Sequence, residues 1–91
     1  MDDLELEQTV QRGTEARQIL ASSAFTEARD RLMAKYTQGI LGSGENDAAS
    51  RERLYLKLKV LQEVVGELGI VEQHGMKAEH DLKTRKRRRA E

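Results

Sequence analysis

The sequence predicts an all-α protein, and three observations carry that expectation. Glu, Leu, Ala, Arg, Lys and Gln dominate the 91 residues, and all are good helix formers. Proline is absent, and the β-branched residues are few and scattered. No stretch alternates apolar and polar side chains with period two over a strand's length. The chain has room for one domain, and domains of this size are marginal alone. Only 37% of residues are apolar, and the aromatic set is Phe25, Tyr36 and Tyr55. The core must therefore be aliphatic and thin.

Residues 2–21 read as a first helix. Asp2 and Asp3 stand where acids favour a helix N-terminus. Leu6, Val10, Ala16, Ile19 and Leu20 give a loose stripe, which Gly13 interrupts at a cost of about 1 kcal/mol relative to Ala. Ser22 and Ser23 then break the pattern with capping chemistry, since a serine oxygen accepts from an amide one turn in. A second helix is expected from about Ala24 to Ile40, with Phe25, Ala28, Leu32, Met33, Tyr36 and Ile40 on its apolar face. Residues 41–47, LGSGEND, form a loop that ends in an N-cap at Asn46 or Asp47. So short a connection places its flanking helices side by side and antiparallel.

The longest regular segment follows, from Ala48 to Leu68. Leu54, Leu58, Leu61, Val65 and Leu68 alternate in spacings of four and three, which lays one apolar stripe along a helix. Leu56, Val60, Val64 and Val71 form a second row beside it. A surface helix of a monomer has one apolar face of about 100° or a little more. Two adjoining rows imply two neighbours: the second helix, and either another copy, a partner, or the first helix folding back to complete a three-helix bundle. The second row is the candidate oligomer or partner interface. Gly69 and Gly75 both suit a helix stop, and Val71 favours the later one.

The expected architecture is an antiparallel helical hairpin of about residues 24–40 and 48–74. An additional N-terminal helix precedes it and a flexible basic tail follows it. The chain then divides into an acidic helix (1–21), the hairpin (22–75) and the tail (76–91). The net charge of zero hides this asymmetry: residues 1–7 carry four acids and no base, while residues 77–91 carry seven bases against three acids. Lys83, Arg85, Lys86, Arg87, Arg88 and Arg89 are the candidate nucleic-acid or polyanion residues, because arginine pairs with phosphate in bidentate fashion. No aromatic residue lies among them, so base stacking is not on offer there. An acidic protein surface, including the acidic head of a neighbouring copy, and a purely solubilising role are the competing readings.

Enzyme chemistry finds no constellation. His74 and His80 are six apart and so lie on different helix faces, whereas metal ligands on one helix need three or four. Glu72 and His74 do not share a face, nor do His80 and Asp81. Glu63 and Glu67 share the outer face of the long helix, where acids form a wet surface or orient a basic partner. Gly42-Ser43-Gly44 lacks both the GKS/GKT ending and the preceding strand of a phosphate loop. No catalytic residue, metal, cofactor or small-molecule substrate is expected. Cysteine is absent, so no disulfide framework exists. No apolar run reaches about 18 residues, so no membrane span is expected, and the acidic start MDDLELE argues against a signal peptide.

The run from Ile19 to Lys77 resembles a family of short helical proteins encoded in the head and packaging gene clusters of tailed bacteriophages. Ala24-Phe25, Leu32 and Tyr36 carry the resemblance in the second helix. Arg51-Glu52-Arg53-Leu54-Tyr55, then Leu58, Leu61, Val65 and Leu68, carry it in the third, ending at Gly75-Met76-Lys77. It covers about two-thirds of the chain and leaves out the acidic head and the basic tail. The resemblance implies a phage virion or virion-assembly protein, placed in the virion or the host cytoplasm. It also draws notice to Arg51 and Glu52, either as a contact to a capsid, portal or DNA surface or as a helix-end ion pair of little energy. The leading expectation is a non-enzymatic structural protein. It would form a homo-oligomer through its long helix and contact phage capsid or portal proteins or packaged DNA. The alternatives are a small DNA-binding packaging or regulatory factor that uses the basic tail, and a host-directed inhibitor.

Overall fold

The computed structural model describes residues 1–90. The protein is all-α: α1 spans Asp3–Ala21, α2 Ser23–Leu41 and α3 Ala48–Ala90. No strand occurs among the described residues. Contacts divide the chain into two units, Met1–Leu20 with Glu67–Glu91, and Ala21–Gly66.

The first unit pairs α1 with the C-terminal half of α3. Asp2 caps α1, its Oδ1 accepting from the Glu5 amide at 2.8 Å. Leu6, Gly13 and Ala16 are the buried residues of α1, and Gly75 and Ala78 those of α3. The seam is built of small residues because the backbones touch. A Cβ placed on Gly13 would stand 2.7 Å from the Gly75 Cα and 3.3 Å from the Val71 carbonyl oxygen. A Cβ on Gly75 would stand 2.7 Å from the Gly13 Cα and 3.2 Å from the Thr9 carbonyl oxygen. Only glycine permits such an approach. The two helices run antiparallel, since Asp3 lies against Arg85 and Arg89 while Gly13 lies against Gly75.

This crossing corrects two expectations. Gly13 does not interrupt a stripe; it is the point of closest packing. Gly75 does not end α3. No glycine has a positive φ, so none serves as a left-handed helix stop. α3 passes through Gly75 and continues to Ala90, an element of about 65 Å at 1.5 Å per residue. The flexible tail expected over residues 76–91 is therefore helix as far as Ala90, and Glu91 lies outside the described residues. Its helix has identifiable supports. Gly75 and Ala78 are covered, Glu79 and Lys83 form an i,i+4 ion pair at 3.3 Å, and Arg87, Arg88 and Arg89 complement the dipole in the last turn.

The second unit pairs α2 with the first part of α3. Ser22 is the N-cap of α2: its φ/ψ of −64°/131° is extended, and its Oγ accepts from the Phe25 amide at 3.4 Å. α2 stops at Gly42, which stays in the right-handed region. Asp47 caps α3, accepting from the Ser50 amide at 3.3 Å. Gly39 faces Leu54, Tyr36 lies near Lys57, and Arg29 and Met33 share a groove with Leu61 and Val65. Numbers on α2 fall as those on α3 rise, which is antiparallel order. No residue of this unit is fully buried: Phe25, Met33, Tyr36, Ile40, Leu54, Leu58, Leu61 and Val65 are all half-covered.

Arg51 ties the intervening loop to the first turn of α3. Its guanidinium donates to the Ser43 hydroxyl at 3.2 Å and to the Gly44 and Glu45 carbonyls. Ser43 in turn donates to the Ile40 carbonyl at 2.7 Å. Arg51→Ala is expected to cost about 1 kcal/mol, the net worth of such bonds, and to speed proteolysis between Gly42 and Asp47 with helix content unchanged. Unaltered cleavage there would show that the guanidinium does not hold the loop.

Candidate assembly surface

A row of branched aliphatic side chains lies open on the second unit. Leu56 is 54% exposed, Val60 58% and Val64 50%. They form one wall of a groove whose other wall is Leu32 and Tyr36 of α2, with Leu61 at its floor. Leu32 is itself 37% exposed. The groove arises because α2 covers the Leu54-Leu58-Leu61-Val65 stripe of α3 and leaves the neighbouring row open. Exposed apolar side chains scattered singly are ordinary; a contiguous row rimmed by charge marks an interaction face. Here the rim holds Arg53 and Lys57, whose ammonium nitrogen lies 6.0 Å from the Tyr36 ring centroid.

Leu56, Val60 and Val64, three of the four residues expected in this row, stand together in the second unit. Val71, the fourth, belongs to the first unit, where it is half-buried and its carbonyl faces Gly13 at the helix crossing.

The six basic residues are not one free cluster. Arg85 Nη1 donates to Asp3 Oδ1 at 3.0 Å and Nη2 to the Met1 carbonyl at 2.9 Å. Arg89 donates to Asp3 Oδ2 at 2.6 Å. Lys83 pairs with Glu79. Lys86, Arg87 and Arg88 are exposed. Because the segment is helical, its charges are spread around an axis instead of trailing along a chain. The acidic head and the basic end thus meet within one molecule.

Arg89, and after it Arg85, hold the Asp3 carboxyl below the ordinary aspartate value of 3.8 by donating hydrogen bonds to its charged form. A carboxyl so depressed adds stability above its unfolded pKa. That contribution is lost as the pH falls from about 3.8 through the depressed folded value. An NMR titration is expected to place the Asp3 midpoint below that of a free aspartate, and Asp3→Asn to remove this part of the acid dependence. Asp3 is only partly covered, so added salt weakens the clamp as well. A midpoint at the free value would show that the clamp is not formed.

His74 and His80 are both exposed. Among the described residues no three His, Asp or Glu side chains gather as a metal set would. No helix among them is long and apolar enough to cross a membrane. Comparison with protein-family models, with curated proteins and with solved structures found no match.

Proposed function

We propose that this chain is a non-enzymatic assembly protein that self-associates through the open row of α3 and serves in a phage particle or its construction. One observation carries the assembly part of this reading. The second unit has two amphipathic helices, no fully buried residue, and a contiguous open row of Leu56, Val60 and Val64 facing Leu32. Two helices cannot enclose a core between them, and packing a further helical layer on the open face is the stable solution. The phage setting rests on the resemblance in the Ile19–Lys77 run. Capsid or portal proteins and packaged DNA are the contacts that setting implies.

Sedimentation of the intact chain over a wide concentration range tests the reading. Reversible self-association is the expected result, and a monomer at every concentration overturns it. The DNA-binding alternative draws on exposed Lys86, Arg87 and Arg88. It requires binding that weakens steeply with salt and is lost when those three are neutralised, with Arg85 and Arg89 left to hold Asp3.

A further inference from the structure

The open face of α3 carries an order of residues that says how a second copy would meet it. From Arg53 to Val64, the exposed positions on the Val60 face are Arg53, Leu56, Lys57, Val60, Glu63 and Val64, while the exposed Tyr55, Lys59 and Gln62 lie around the helix from it. Basic residues stand toward the N-terminal end and an acid toward the C-terminal end, beside the aliphatic row. The arrangement is centred on Val60. Leu56 and Val64 lie four residues to either side of it, and Lys57 and Glu63 three.

We infer that the occupant of this face is a second copy of the same chain, packed antiparallel about a two-fold axis through Val60. An isologous interface demands that residue i meet j and that j meet i. Antiparallel packing centred on Val60 meets that demand with complementary chemistry at each step. Val60 meets its own mate, Leu56 meets Val64, and Lys57 meets Glu63. The charge pair occurs twice in the dimer. A parallel dimer would set Lys57 against Lys57 and Glu63 against Glu63, placing like charges opposite one another along the same rim. Charge pairs flanking an apolar seam are what fix orientation and partner choice in helix pairs. Leu32 and Tyr36 then become side walls that cover the flanks of the incoming helix. This inference rests on the assembly reading above and adds to it a partner, a direction and a register.

The chain has no cysteine, so single cysteines report the geometry directly. Val60→Cys is expected to form a disulfide-linked dimer readily under mild oxidation. Leu56→Cys alone is expected not to, because its two copies would lie about 12 Å apart along the axis, beyond the roughly 7 Å Cα separation that a disulfide spans. A mixture of Leu56→Cys and Val64→Cys chains is expected to cross-link as readily as Val60→Cys. Lys57→Glu is expected to weaken the dimer about tenfold at low salt, and addition of Glu63→Lys to restore it. Leu56→Cys linking to itself as fast as Val60→Cys overturns the antiparallel register while leaving self-association in place. A double charge reversal that stays as weak as the single one overturns it equally. A chain that remains monomeric overturns both this inference and the assembly reading, and capture of a different helical protein on the face would name the occupant that displaces the second copy.

Discussion

Gly13→Ala is expected to lower the thermal midpoint, while Gly66→Ala raises it. Both place a methyl group inside a helix, and both gain about 1 kcal/mol of helix propensity. They differ in what the methyl meets. At Gly66 nothing lies within 4 Å, so the gain stands alone. At Gly13 the new carbon would stand 2.7 Å from the Gly75 Cα, and the obstacle is backbone, which cannot swing aside. α1 must then lift off α3, loosening the cover over Leu6, Ala16 and Ala78. Overpacking of this kind costs about 1–3 kcal/mol, which outweighs the propensity gain. Gly75→Ala meets the mirror obstacle and is expected to behave like Gly13→Ala. Thermal unfolding followed by circular dichroism reads all three, and a Gly13→Ala protein as stable as Gly66→Ala would show that the crossing is not tight.

Val60→Asp is expected to abolish self-association with little change in monomer stability. Val60 is 58% exposed, so the single chain loses little packing when it becomes polar. In the dimer two valines leave the interface at once, each worth about 1–2 kcal/mol for the exposed part that association covers, and two carboxylates are brought together. An affinity loss of more than about tenfold follows from the lost burial alone, and the carboxylates add to it. Sedimentation combined with circular dichroism separates this result from simple unfolding. Unchanged association would mean that the face lies outside the interface.

The all-α class was legible because it depends on composition and on the missing strand period, both of which are local. The caps were legible for the same reason: Ser22 and Asp47 each act on an amide three residues away. The open row Leu56-Val60-Val64 was legible from its four-residue spacing. The extent of α3 was not. A glycine inside a helix looks the same in sequence whether it stops the helix or admits another backbone, and Gly75 was read as the stop. Two G-x-x-A steps, Gly13 to Ala16 and Gly75 to Ala78, were the available signal for a close pair. The basic end read as a mobile tail because its partner is remote: Asp3 and Arg85 stand 82 positions apart.

The glycine crossing also sets an order of folding. α2 and the start of α3 are joined by the short loop 42–47, so their meeting closes a small ring and costs little chain entropy. α1 precedes its seat on α3, and their meeting must close the whole intervening chain from Gly13 to Gly75. Contacts of such long range are slow to form. Pulsed hydrogen exchange during refolding is expected to protect Leu58 before Leu6, and the reverse order would refute this sequence of events. On a ribosome α1 would wait, with Leu6 and Ala16 uncovered, until Gly75 and Ala78 had emerged.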